Sequence, residues 1–212
     1  MLGTNLRKVF SNMVFKIGKT IGKTGINPNF FTFLGVIVAG FAAYLYSQQE
    51  MLLGFIFIIA ASFWDAIDGS VARAQNKASK FGNYFDAMID KYVEILFYLG
   101  LALAGFPLEA FLVISGSLIL SYAKPRTAIV VPIDNHDWPA IGERLDRLLI
   151  LVAVLAIALF APMLTIGGRT FSTISMGLYF LAIIVYIGSI QRIIYAGKII
   201  EAGGTAKMKK KK

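Results

Sequence analysis

Four aspartates in two neighbouring apolar stretches are the residues of this chain whose types and spacing could do chemistry. They stand in the order Asp65-x-x-Asp68-Gly69-x-x-Ala72-Arg73, eight residues, Gly82-x-x-x-Asp86-x-x-x-Asp90. A carboxylate at the centre of a membrane helix costs roughly 2.5–3.5 kcal/mol, so four left uncompensated would cost on the order of 10 kcal/mol. Something cationic must offset them. At 100° per residue Asp65, Asp68 and Ala72 fall on one helical face, and Gly82, Asp86 and Asp90 share another at i, i+4, i+8. Two such faces opposed across a helix pair form an all-oxygen site, the ligand set of hard divalent cations such as Mg2+ or Mn2+; zinc or copper would want Cys and His. The chain has no Cys and a single His. Gly69, Ala72 and Gly82 leave room beside the metals for a flat or bulky ligand, and Arg73 adds a fixed positive charge suited to phosphate. Dications, a guanidinium and a steric opening together point to phosphoryl chemistry. The bland alternative, ion pairs of the four acids with Arg73 and Lys91, sets four negative charges against two positive ones in low dielectric.

The elements that must position these residues are membrane helices. Of the 212 residues 57% are apolar, which with six long apolar stretches indicates an all-α, polytopic membrane protein without room for a separate soluble domain. The spans read at about 29–47, 51–74, 82–104, 107–130, 142–162 and 173–197. Of the 21 Lys and Arg residues, only Arg169 falls in a segment placed outside, and the turns at 47–51 and 105–107 carry none. By the positive-inside bias both termini are cytoplasmic. Arg73, Lys77, Lys80, Lys124, Arg126, Arg144, Arg147, Arg192 and Lys198 then lie at inner loops and helix ends, so the aspartate site opens toward the cytoplasm. Cysteine is absent, which leaves the redox compartment open, and no signal-peptide pattern is expected at the N-terminus.

Residues 4–22 follow a different pattern. Leu6, Val9, Phe10, Met13, Val14, Ile17 and Ile21 recur at helical spacing, with Arg7, Lys8, Lys16, Lys19 and Lys23 largely elsewhere. This predicts an interfacial amphipathic helix on the inner leaflet, an anchor that could flank the entry path of a lipid. The expected organisation is therefore a cytoplasmic-face helix over 1–24, a six-span membrane domain over 25–200 and a basic, disordered tail over 201–212. His136, the sole histidine, invites assignment as a base, but beside Trp138, taken as interfacial, it reads as a loop residue.

With these residues in view, the chain resembles the CDP-alcohol phosphatidyltransferases, whose signature Asp-x-x-Asp-Gly-x-x-Ala-Arg-x8-Gly-x-x-x-Asp-x-x-x-Asp is met at every fixed position. The resemblance implies attack of an alcohol on the β-phosphorus of a CDP-linked lipid, release of CMP and formation of a phosphodiester. It implies two ions, Mg2+ or Mn2+, held by Asp65, Asp68, Asp86 and Asp90. It also makes Asp90 the general base, and makes Asn29, Thr32, Gly69, Ala72, Arg73, Ser79 and Gly82 the CDP-lipid residues. Locally, Asn29 could equally be a helix N-cap and Thr32 an ordinary helix residue. A homodimer is implied by the family alone, and the expected partners are the donor lipid, the acceptor and membrane lipids, with no nucleic acid.

The acceptor is read from the later basic residues. Ser121-Tyr122-Ala123-Lys124-Pro125-Arg126, Glu143-Arg144-Leu145-Asp146-Arg147 and Gln191-Arg192 come from three helices near their cytoplasmic ends. Cations converging there would bind a second phosphate, which serine or free inositol lacks. The segments resemble the branch that makes phosphatidylinositol phosphate, or its archaeal ether-lipid counterpart, from inositol 1-phosphate, with Lys124, Arg126, Arg147 and Arg192 matched to its acceptor-phosphate pocket. Lys-Pro-Arg stands where Lys-Ala-Arg is expected. Snorkelling cations at helix ends are the plain alternative. Glycerol 3-phosphate, giving phosphatidylglycerol phosphate, is the alternative acceptor. A divalent-cation transporter is the reading from another class, opposed by Arg73 beside the acids and by the lack of an inverted repeat. A catalytically dead lipid-binding protein is opposed by the intact acids.

Overall fold

The computed structural model describes residues 16–75, 79–134, 138 and 140–204, without the side chains of Pro28, Asp65, Ala66, Asp68 and Ala72. Residues 4–15 of the expected amphipathic helix, His136 and the lysine run at 207–212 lie outside the described residues.

A short helix α1 over residues 16–22 precedes α2 (Pro28–Ser47), α3 (Met51–Ala74), α4 (Lys80–Leu103), α5 (Pro107–Val130) and α6 (Arg144–Phe160). A hairpin of β1 (Met163–Ile166) and β2 (Arg169–Ser172) then leads into α7 (Thr173–Ala202). The six long helices stand where six apolar stretches are expected, although α4 begins at Lys80 rather than 82, α6 covers Arg144–Phe160 rather than 142–162, and α7 runs on to Ala202 rather than 197. Local chemistry sets these ends. Asn27, not Asn29, is the N-cap of α2: its side chain accepts from the backbone N–H of Asn29, and Pro28 takes the first helical position, where no N–H is needed. Ser79 caps α4 and Ser172 caps α7, and Gly203 at φ 74° stops α7 in a left-handed C-cap.

Among the described residues four segments, Asn29–Ser47, Met51–Val71, Pro107–Val130 and Thr173–Ala202, are long and apolar enough to cross a membrane. Helix α4 falls short because it carries Asp86, Asp90, Lys91 and Glu94, and α6 because it has only 17 residues. Large apolar side chains such as Phe41, Leu52, Phe111, Leu149 and Ile183 are exposed along these helices, as lipid contact requires and water would not favour. The protein is a multi-pass membrane protein. The hairpin was not foreseen from the sequence. Its strands pair antiparallel from Met163–Ser172 to Ile166–Arg169 across Gly167 and Gly168, both at positive φ as a tight two-residue turn demands.

The chain forms two compact units, Met1–Ala104 and Gly105–Lys212. In the first, α2 packs against both α3 and α4, which touch each other only slightly. Close approach of α2 and α4 depends on small residues: a Cβ on Gly100 would lie 2.7 Å from Ala43 Cα. Over its described part, helix α1 lies against α3. Ile17 and Ile21 pack on the cluster of Phe31, Ile67 and Val71, so the described part of its apolar face is spent on protein. Gly18 and Gly22 bring its backbone against Ser70, Val71 and Ala74 of α3. The Gln75 side chain fastens the following turn, donating Nε2 to the carbonyls of Gly22 (3.1 Å) and Ile26 (2.9 Å). In the second unit, α5 and α6 pack on α7.

Candidate active site

Helix α3 carries Asp65 and Asp68 on one face, and Ser70 and Ala74, which meet α1, on the other. The acid face is thereby backed by packed protein. The side chains of Asp65, Asp68 and Ala72 lie outside the described residues. On α4, Asp86 and Asp90 lie one turn apart and both are half-buried. Among the described residues no group of three or more acidic, His or Cys side chains gathers as a metal site, two of the four aspartates being outside that set. The donor chemistry that remains is oxygen alone, which fits a hard divalent cation. Because α3 and α4 both rest on α2 while barely touching, the two acid-bearing helices are held by a common partner rather than by each other.

Three of the residues assigned to the donor lipid meet at the start of α4. Ser79 Oγ accepts from the Gly82 N–H at 2.9 Å. A Cβ on Gly82 would lie 3.2 Å from that oxygen and 4.0 Å from Asn29 Oδ1, so any larger residue would occupy the space between Asn29 and Ser79. With Asn27 serving as the N-cap, the Asn29 side chain is not spent on capping the start of α2. Thr32, one turn further along α2, is buried. Arg73 lies back along its own helix: Nη2 donates to Ser70 Oγ at 3.1 Å, and Nη1 is 3.4 Å from where a Cβ on Gly69 would stand. Gly69 thus leaves the guanidinium room to lie against the helix.

Glu94 was missed by the sequence reading. It is 8% exposed and accepts from Lys91 Nζ at 2.9 Å, extending the row Asp86, Asp90 by one more turn of α4. The i+4 spacing that identified Asp86 and Asp90 would also have found it.

In the second unit the basic residues arrive from α5, α6 and α7. Arg192, 7% exposed, donates Nη2 to Glu143 Oε1 at 2.6 Å and Nη1 to the Leu120 carbonyl at 3.2 Å. Its Nε is buried, with no hydrogen-bond partner among the described residues. Arg147, 2% exposed, donates Nη1 to the Gly142 carbonyl at 2.7 Å. Lys124 lies within electrostatic range of Arg192, Glu143 and Asp134. Arg126, by contrast, is exposed, and among the described residues no hydrogen bond or ion pair joins it to the others. Three of the four expected cations are brought to one neighbourhood, with Glu143 among them as a counter-charge the sequence reading passed over.

Local folding explains this gathering. Glu143 ends the loop and starts α6 in a capping box, its N–H donating to Asp146 Oδ2 at 3.1 Å. Gly142, at φ 73°, has Ile184 Cγ2 only 3.0 Å from any Cβ it might carry, so glycine suits both the turn and the close pass along α7. Trp138 anchors the loop. It is buried against Ala196 and Ile199, stacks edge-on to Tyr195 at 5.7 Å, and donates Nε1 to the Asp134 carbonyl, a core role in place of the membrane-interface role expected for it.

A sequence model of the family described as CDP-alcohol phosphatidyltransferase matches residues 26–199. The chain belongs to that family, and its acid motif and helical fold are those of a phosphatidyltransferase enzyme of phospholipid synthesis. It is 33% identical over 192 residues to an archaetidylinositol phosphate synthase of Pyrococcus horikoshii, covering 89% of this chain and 93% of that protein. A second archaetidylinositol phosphate synthase, of Methanothermobacter thermautotrophicus, is 27% identical over 133 residues, covering 62% of this chain and 67% of the other. Among solved structures, phosphatidylinositol phosphate synthase PgsA1 of Mycobacterium tuberculosis with CDP-DAG bound superposes with a TM-score of 0.72 at 22% identity, covering 87% of this chain and 94% of that one. The same mycobacterial protein is also known in complex with manganese and citrate, with the same TM-score. At this identity the likeness bears on the fold.

Proposed function

We propose that this enzyme transfers a phosphatidyl or archaetidyl group from a CDP-linked lipid to a hydroxyl of inositol 1-phosphate, releasing CMP. The observation that carries the acceptor assignment is the cation cluster of the second unit, with Arg147 and Arg192 buried and Lys124 beside them. Glu143 offers one carboxylate where cations from three helices gather, and the positive charge in excess of it suits the acceptor's phosphate, an anion the donor site does not supply. The names of the archaeal relatives support the same acceptor.

In this reading Asn29, Thr32, Ser79, Gly82, Gly69, Ala72 and Arg73 receive the CDP-lipid, the glycines by leaving space and Arg73 by charge. Asp65, Asp68, Asp86 and Asp90 would hold two divalent ions, Mg2+ or Mn2+, which when bound neutralise the diphosphate and the CMP leaving group. Asp90 takes the proton of the attacking hydroxyl as the new P–O bond forms at the β-phosphorus and the bond to CMP breaks. Its half-buried place on α4, one turn from Asp86, suits a base held near substrate. Lys124, Arg147 and Arg192 orient the acceptor through its phosphate, and exposed Arg126 contributes at longer range. All six long helices cross the membrane, with both termini and the site on the cytoplasmic side, and the enzyme is a homodimer.

The test is CMP release from CDP-lipid offered inositol 1-phosphate, inositol or glycerol 3-phosphate in parallel. Inositol 1-phosphate alone should support turnover. Turnover with glycerol 3-phosphate in its place would assign the enzyme to phosphatidylglycerol phosphate synthesis.

A further inference from the structure

Arg192 is the most constrained cation of the cluster, yet its hydrogen bonding is incomplete. Its guanidinium has five N–H donors in a fixed fork that matches carboxylate or phosphate in pairs. Nη1 is committed to the Leu120 carbonyl and Nη2 to Glu143 Oε1, while Nε, on the same edge as Nη2, is buried without a hydrogen-bond partner among the described residues. Glu143 therefore occupies half of a bidentate anion seat. The two partners are also unequal in burial: the Arg192 side chain is 9% exposed and that of Glu143 54%. The exposed carboxylate is the partner that can move, giving up its capping contact with the Asp146 N–H as it goes, while the buried guanidinium stays.

We infer that Glu143 is a displaceable stand-in for the acceptor's phosphate, a carboxylate that holds Arg192 until a phosphate monoester takes both Nη2 and Nε. The inference rests on the acceptor reading above. It makes acceptor binding an exchange of one anion for another. A phosphate monoester brings enough oxygens to fill the whole seat and displaces Glu143, while a neutral polyol brings no anion and leaves the pair closed. The residue thus works against unphosphorylated acceptors, the repulsive half of specificity, at the expense of some affinity for the correct one. It also meets the resting enzyme's need for a counter-charge beside a buried guanidinium. The other half of the capping box survives the exchange, the Glu143 N–H still donating to the Asp146 side chain.

The test is Glu143→Gln in the full-length enzyme, with inositol 1-phosphate as acceptor and inorganic phosphate as a competing probe. Replacing a charged acceptor of the Arg192 hydrogen bond by a neutral one weakens the internal competitor, so the acceptor KM and the inhibition constant of inorganic phosphate should both fall about tenfold. Glu143→Asp, one methylene too short to reach Arg192 but still a good N-cap, should shift them in the same direction by less. A KM that stays or rises in both variants, while Arg192→Gln still raises the acceptor KM and phosphate still competes, would make Glu143 a brace for Arg192 and overturn the inference alone. If phosphate does not compete with the acceptor in the parent enzyme, or Arg192→Gln moves the CDP-lipid KM instead, the acceptor reading fails and the inference with it.

Discussion

Replacing Gly18 by Ala adds one methyl group and sets two effects of known sign against each other. In a helix interior Ala is preferred to Gly by about 1 kcal/mol, so propensity favours the change. Packing opposes it. The new Cβ would lie 2.5 Å from Ser70 Cβ, 2.9 Å from the Ser70 carbonyl carbon and 3.1 Å from the Val71 nitrogen. Carbon contacts are comfortable at roughly 3.5–4.0 Å, so α1 must retreat by about 1 Å, because two of the three obstacles are backbone of α3. Retreat loosens Ile17 and Ile21 on the Phe31, Ile67 and Val71 cluster and stretches the Gln75 bonds to Gly22 and Ile26. Overpacking of this kind costs about 1–3 kcal/mol, and each weakened hydrogen bond about 1 kcal/mol more. Packing should win, leaving Gly18→Ala destabilised by about 1–3 kcal/mol, or a few degrees in Tm for a chain of this size. Gly40→Ala is the control. Nothing lies within 4 Å of its Cβ position, so only the propensity gain remains and the melting temperature should hold or rise. Thermal unfolding in detergent, with CMP release on the same samples, reads both effects. Gly18→Ala should also lose activity, since α1 backs the acid-bearing face of α3. A Gly18→Ala enzyme that melts and turns over like the parent would refute the claim that α1 braces the site.

Other outcomes follow from the same geometry. Asp90→Asn keeps the size of the side chain but cannot take the alcohol proton, so turnover should drop about 100- to 10,000-fold while CDP-lipid still binds, as rate and donor-binding assays would separate. Chelation of divalent ions should abolish CMP release reversibly, and Asp65→Asn or Asp68→Asn should raise the metal concentration needed for half-maximal rate; full activity in excess chelator would remove the metal from the mechanism. Lys124→Ala and Arg147→Ala should each raise the acceptor KM roughly 10- to 100-fold by deleting a charge-assisted contact. Arg126→Ala should do less, because Arg126 is exposed and apart from the buried pair; equal losses at all four positions, or losses shared with the donor, would mark the cluster as structural.

The long helices were legible because apolar stretches of membrane length leave few alternatives, and the acid motif because fixed spacing carries its own geometry. What escaped the sequence were relations between distant residues. The packing of Ile17 and Ile21 on Phe31 and Val71 cannot be told from lipid contact by helical period, since both environments are apolar. Asn27 rather than Asn29 caps α2 because Pro28 between them prefers the first helical position, a choice local chemistry allowed but did not force. Arg126 and Lys124 are two residues apart, so on a helix they point nearly opposite ways; treating the Lys-Pro-Arg segment as one basic patch overlooked this. Glu143 was hidden by its sign, a negative residue in a search for positive ones.

The hairpin between α6 and α7 measures depth in the bilayer. A two-stranded ribbon leaves unpaired N–H and C=O groups along both edges, which hydrocarbon does not tolerate, so β1 and β2 belong among headgroups or in water. The Thr173 hydroxyl and N–H, bonded to the carbonyls of Ala161 and Pro162, pin the start of α7 to that level. Counting up α7 at 1.5 Å per residue places Arg192 about 28 Å from Thr173, close to the ~30 Å thickness of the hydrocarbon layer. Counting back along α6 from Phe160 places Arg144 about 24 Å away, and the last turns of α7, from Ile193 to Ala202, extend some 15 Å further than Arg192. One level is thus marked by a ribbon that cannot enter the oil, and a buried guanidinium stands about one hydrocarbon thickness away along α7.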